Sequence, residues 1–150
     1  MRESDFAKLG ACDLTVAGLR IWVHGRQFED ALGWDGDWLR VSVLCRYPGA
    51  RVAVDGSILR LGEIVHFLTE TEKAYEKLGG VATLDCLEPN LRVALAVNGN
   101  GHVSATIDVT PDHLKQTHRF LDELDQSHLP PIMASCKALL AKYPRRGGSE

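Results

Sequence analysis

The sequence predicts an α+β domain, an antiparallel meander sheet of about six to eight strands with two helices packed on one face. Three observations carry that prediction. Apolar and polar residues alternate with period two in several stretches, as in antiparallel strands with one wet face. Two longer segments switch to three- and four-residue spacing, the period of an amphipathic helix. Finally, strands precede a helix twice over, so the chain divides into two similar-looking blocks.

In the first block, "LRIWVHG" alternates Leu19, Ile21 and Val23 with Arg20, Trp22 and His24, placing Trp22 on the wet face. "WLRVSVLCRY" sets Leu39, Val41, Val43 and Cys45 on one face and Arg40, Ser42 and Arg46 on the other. "YPGA" turns the chain, because Pro48 presets one dihedral and Gly49 accepts a positive one. "RVAVDGSI" returns as the hairpin partner with Val52, Val54 and Ile58 inward. A helix follows, with Leu61, Ile64, Val65, Leu68, Tyr75 and Leu78 on its stripe and the Gly79-Gly80 pair at its end.

The second block opens with three strands in "VATLDCLEPNLRVALAVNGNGHVSATIDVT". "EPN" makes the first turn and "NGNG" the second, since Asn and Gly tolerate left-handed dihedrals. "THRFLDEL" continues the meander with Phe120 and Leu124 inward, although a helix from Thr110 to Leu124 is a competing reading opened by Asp112. The last helix carries Ile132, Met133, Cys136, Leu139, Leu140 and Tyr143 on one stripe and stops before Pro144. Pro130 and Pro131 suit its first turn, where a missing N–H costs little. The organisation expected is an N-terminal extension over 1–11, one domain over 12–144 and a flexible tail over 145–150.

The chain has 150 residues, a mass of 16.5 kDa and a formal charge of -3. That length suits one domain, and that charge disfavours a nucleic-acid binder, whose footprint is a basic stripe. No run approaches the ~18 apolar residues of a membrane helix. The N-terminal "MRESDFAKLGACDLTV" lacks the apolar core of a signal peptide, so cytoplasmic residence is expected. Cys12, Cys45, Cys86 and Cys136 are scattered without a CxxC and are expected to be reduced and structural.

No motif for nucleophilic catalysis, phosphate binding or metalloprotease chemistry occurs, and no cofactor or metal is expected. In a strand, His113 and His118 would point to opposite faces, which argues against a metal shared with His102 unless a bulge intervenes. Asp35 and Asp37 flank Gly36, yet the loop lacks the spaced oxygen ligands and terminal glutamate of a calcium-binding loop.

The least ordinary stretch is "EDALGWDGDWLRVSV". Trp38 precedes Leu39 in a strand and suits a structural anchor covering the loop. Trp34 lies in the loop with Glu29, Asp30, Asp35 and Asp37 nearby. An aromatic inside an acidic rim fits a basic protein partner, the aromatic supplying affinity and the charges steering. The competing reading packs Trp34 under its own loop.

"WDGDWLRVSV", "LEPNLRVAL" and "DQSHLPPIMASCKALLAKYPRRG" together resemble the WapI-family immunity proteins of bacteria, over roughly residues 12–147. In this likeness Trp38 and Leu39 match a tryptophan-led strand. Glu88, Pro89, Asn90 and Leu91 match the turn between strands, and Tyr143, Pro144 and Arg145 the closing motif. "HRFLDELD" departs from the aromatic, regularly alternating strand expected before the last helix. The resemblance implies an α+β domain that binds and neutralises a polymorphic toxin through protein–protein contact. The expected partner is therefore a protein, a toxin domain with a basic face, and neither nucleic acid nor membrane. The alternatives are a small structural subunit, or an enzyme whose pocket is assembled from dispersed residues.

Overall fold

A computed structural model describes residues 3–147. A short helix α1 (Glu3–Phe6) leads into strands β1 (Leu14–Val16), β2 (Leu19–Arg26), β3 (Trp38–Tyr47) and β4 (Ala50–Arg60). Helix α2 (Leu61–Lys77) follows, then β5 (Gly80–Asp85), β6 (Leu91–Val97), β7 (His102–Val109), β8 (Arg119–Asp125) and helix α3 (Leu129–Lys142).

The expected single sheet with both helices on one face is not what forms. There are two separate antiparallel sheets of four strands, ordered β1-β2-β3-β4 and β5-β6-β7-β8. Helix α2 packs along β5 of the second sheet and α3 against β1 of the first, and the helices also touch each other. The correction has a local cause. Period two reveals a strand but not its neighbours, and α2 separates β4 from β5, so the meander breaks there. The two-block organisation does form, with each block's helix packed on the other block's first strand.

The edge of β5 shows why it pairs only with β6. Glu70 of α2 accepts from the backbone N–H of Thr83 and from its hydroxyl, both at 2.9 Å. Glu63 accepts from the N–H of Leu87 at 2.8 Å and also caps its own helix through Arg60 N–H. Helix side chains thus satisfy donors that an open edge would offer to another strand.

One apolar core joins both sheets and both helices, with Leu19, Leu39, Leu59, Phe67, Leu95, Ile107 and Cys136 among its buried members. The buried stripe of α2 is Leu61, Glu63, Ile64, Phe67, Thr71 and Ala74, whereas Tyr75 is exposed. The helix ends with Leu78, not a glycine, in the left-handed region at φ 49°. β8 is a strand: it pairs with β7 throughout, and half-buried Phe120 and Leu124 pack against the core.

The outer face of the first sheet is also not as wet as alternation predicts. Trp22 and Leu44 are buried there beneath Phe6, whose ring lies 5.3 Å from that of Trp22. The Trp22 indole N–H donates to Gly10 O at 3.0 Å, so residues 6–10 are fastened to the sheet.

Candidate functional site at the β2–β3 loop

The loop leaves β2 at a bulge. The register between β2 and β3 slips between Val23 and Gly25, which turns Arg26 into the protein instead of out to water. A buried guanidinium needs every donor satisfied. Arg26 donates to Gly36 O and to Pro144 O, each at 2.5 Å, and lies 3.8 Å from the Asp37 carboxylate.

Asp37 completes the fastening. Only 6% exposed, it accepts from the backbone N–H groups of Arg146 at 2.6 Å and Gly147 at 2.9 Å. The Arg146 side chain returns to Glu29 O at 2.5 Å and Ala31 O at 3.0 Å. Gly36 has no room for a side chain, since a Cβ there would run into Ala31 O and Arg146 Cδ. The "WDGD" and "YPRRG" segments, 109 residues apart at Asp37 and Arg146, therefore form one hydrogen-bonded knot. Residues 145–147 have defined partners, and 148–150 lie outside the described residues.

What the knot leaves outside is apolar and acidic. Trp34 is 53% exposed, Leu32 88% and Phe28 48%. Glu29, Asp30 and Asp35 are exposed around them. Trp34, Glu29, Asp30 and Asp35 are all exposed on this loop, whereas Asp37 is buried with its carboxylate occupied by the chain's own backbone. Phe28 and Leu32, absent from the sequence reading, are exposed on the same loop; a loop has no periodicity to flag them. Arg26 and Arg146 were hidden for other reasons, the first by the bulge and the second by its place in a segment that reads as tail.

Trp38 opens β3, half-buried, with the Arg60 guanidinium 5.5 Å from its ring centre and its carbonyl accepting from Gln27 N–H at 2.8 Å. Leu39 and Leu91 are core residues. Asn90 ties the β5–β6 turn to the end of β7 by donating to Thr110 O at 2.8 Å, with Glu88 half-buried and Pro89 exposed beside it. Tyr143 packs half-buried against the core, Pro144 supplies the carbonyl held by Arg26, and Arg145 is half-buried.

Among the described residues, no group of three or more His, Cys, Asp or Glu side chains is placed to hold a metal ion. The four cysteines are free thiols. Burial pushes the Cys45 and Cys136 thiols up to about 12, and burial with the Glu63 carboxylate nearby raises Cys86 as well. Thiols so raised are poor nucleophiles near neutral pH. No helix among the described residues is long and apolar enough to cross a membrane.

No curated protein and no solved structure matches the chain. Residues 14–144 match the family described as "Immunity protein WapI-like family", a span that includes all eight strands and both long helices. By that match the chain belongs to the WapI-like immunity protein family.

Proposed function

We propose that this protein binds and neutralises a bacterial toxin through protein–protein contact, using the β2–β3 loop as its docking surface. The observation that carries this reading is that one loop, held by a buried knot, exposes Phe28, Leu32 and Trp34 together with Glu29, Asp30 and Asp35. Exposed large apolar side chains grouped on one loop are costly in water and gain by being covered. A loop already fixed by Asp37 and Arg146 loses little entropy on docking. Glu29, Asp30 and Asp35 favour a partner with a basic face, and they act mainly on the rate of encounter.

The reading is that of a binding module, not an enzyme. The family places the protein among immunity proteins, and the loop offers contact surface without a nucleophile beside a base. The decisive experiment expresses the genes that flank this protein's own, purifies any product that is toxic to the cell, and titrates it with wild type and with Trp34→Ala. Loss of binding and of protection in the variant is expected. Full binding by Trp34→Ala would move the docking surface elsewhere, first to the wet face around Arg92, Thr106 and Asp108. Turnover of a small molecule, abolished by a single polar substitution, would sink the binding-only reading.

A further inference from the structure

We propose that the outer face of the second sheet is self-complementary and stacks on the same face of a second copy of this chain, closing a two-fold dimer. The odd-numbered residues of β6 and β7 are buried in the core, and the even-numbered ones face outward, exposed or half-buried. The register aligns these outward residues in rows across all four strands. One row reads Asp85, Arg92, Asp108, Arg119, alternating in charge. The next is Thr83, Ala94, Thr106 and Leu121, and the one beyond it Val81, Ala96, Ser104 and Glu123.

A row that alternates in sign over an even number of strands is the opposite of its own reverse. A two-fold axis parallel to the strands, passing between β6 and β7, lays the row on that reverse. Asp85 then faces the partner's Arg119 and Arg92 the partner's Asp108, each contact being made twice. An axis across the strands would set like charges over like, so the charge pattern selects the first. The row is already paired within one chain. Arg92 lies 3.6 Å from Asp85, and Arg119 donates to both oxygens of Asp108 at 2.8 and 3.1 Å. Each pair therefore enters the contact preformed and lies against a pair of opposite sense.

The other rows permit the approach. Ala94, Ala96, Ser104 and Thr106 hold the middle of the face, so short side chains flank the axis. The strands of the two sheets then lie nearly aligned, as twisted sheets do face to face. Leu121, 72% exposed, and Val81, 52% exposed, gain cover. A second complementarity falls at the rim, where the same axis sets the exposed Glu123 of one copy over Val81 of the other. Beside Val81 a groove of about 270 Å³ runs between α2 and β5, with His66, Lys73 and Lys77 in its lining. The carboxylate in that lining, Glu70, is held by Thr83 and lies 3.2 Å from His66.

The face spans roughly 20 Å in each direction, so two copies bury about 1,000 Å² together. That is the lower limit for a specific interface, and the dimer is a weak one that forms and parts with concentration. The face lies on the second sheet and the β2–β3 loop joins strands of the first, so the dimer does not rest on the function proposed for that loop.

The test is a charge exchange read by sedimentation over a concentration series at low and high salt. Asp85→Arg sets like charges opposite the partner's Arg119 at both contacts, and Arg119→Asp does the same opposite the partner's Asp85. A third variant, Ala96→Arg, places a long side chain beside the axis. All three positions are exposed, so each variant should melt close to wild type. Wild type is expected to dimerise at low salt and dissociate at high salt, with each variant alone weakened by about tenfold or more. An equal mixture of Asp85→Arg and Arg119→Asp should regain the dimer, because opposite charges again face one another at both contacts. A wild type that stays monomeric up to about 1 mM overturns the proposal. So does a dimer that all three variants keep, or a mixture no more associated than its parts. Loss of toxin neutralisation in Ala96→Arg, with wild type monomeric, would give this face to the toxin instead of to a second copy.

Discussion

The Tyr47 hydroxyl donates a 2.8 Å hydrogen bond to Asp122, joining the end of β3 in one sheet to the middle of β8 in the other. The same oxygen accepts from Gly18 N–H at 3.0 Å, and the Tyr47 ring stacks on Phe120 at 5.3 Å. Burial and the neighbouring Asp122 carboxylate raise the Tyr47 hydroxyl to about 12. Tyr47→Phe keeps the stacked ring and removes both polar contacts. A stability loss of about 1–2 kcal/mol is expected by urea titration, since Gly18 N–H and Asp122 each lose a partner.

The same residue has a defined pH signature. A tyrosine whose folded pKa lies above its ordinary value of 10.0 keeps its proton longer in the folded state than in the unfolded one. Its contribution is therefore complete below about pH 10 and is lost as pH rises towards about 12. Cys45 and Cys136, raised to about 12, lose theirs on the same alkaline side. Measured between pH 9 and 12, the difference between wild type and Tyr47→Phe should shrink with rising pH. A constant difference would mean that Tyr47 ionises alike in both states.

Asp35 and Asp37 read alike in sequence and should behave oppositely. Asp37→Ala leaves Arg26 buried without its carboxylate and frees the N–H groups of Arg146 and Gly147. Breaking a buried pair by removing one partner typically costs about 3–5 kcal/mol. Asp35→Asn, at an exposed position, should leave the melting temperature unchanged and slow association with a basic partner at low salt. Calorimetry with stopped-flow association measures both.

Trp34 and Trp38 should separate in the same way. Trp34→Ala should leave stability nearly intact and weaken partner binding by about 2 kcal/mol or more if Trp34 is an interface anchor. Trp38→Ala removes a half-buried indole lying beneath Arg60 and should lower stability by about 2–3 kcal/mol. Equal stability losses in the two variants would contradict the assignment.

Alkylation in the native state should rank the thiols. Cys12 is only half-buried and should react first, whereas Cys45, Cys86 and Cys136 are buried and should label only on unfolding. A pair of thiols that stays unlabelled in denaturant until a reductant is added would refute the free-thiol assignment.

Strand positions were legible because alternation is a local property: Leu91, Val93, Leu95 and Val97 point inward whatever lies beside the strand. Neighbour relations were not legible. Nothing in residues 61–80 indicates that Thr83 of β5 will bond to Glu70 of α2 instead of β5 pairing with β4. Alternation put Trp22 on the outer face, where it lies, but gave no sign of its burial, because the Phe6 that covers it lies in a segment without periodicity.

The loop is legible as unusual from its two tryptophans and crowded carboxylates. Its inner half is not. Asp37 differs from Asp35 only by what Arg26 and Arg146 do, and those residues lie 11 positions before it and 109 after. A composition of Arg and Gly near a C-terminus reads as tail until a buried carboxylate is seen to hold its backbone.

The exchange of helices between blocks governs how the chain can be made. The first sheet is fully synthesised by residue 60, yet the helix that packs against β1 spans Leu129–Lys142. Until that helix leaves the ribosome, β1 lacks the cover that α3 provides, and apolar surface left exposed in this way is what chaperones recognise. A truncated product lacking α3 would lose the cover of the opposite block along with its own last element. Such a fragment is expected to be less stable than the chain that carries α3, because each block is covered by the other's helix.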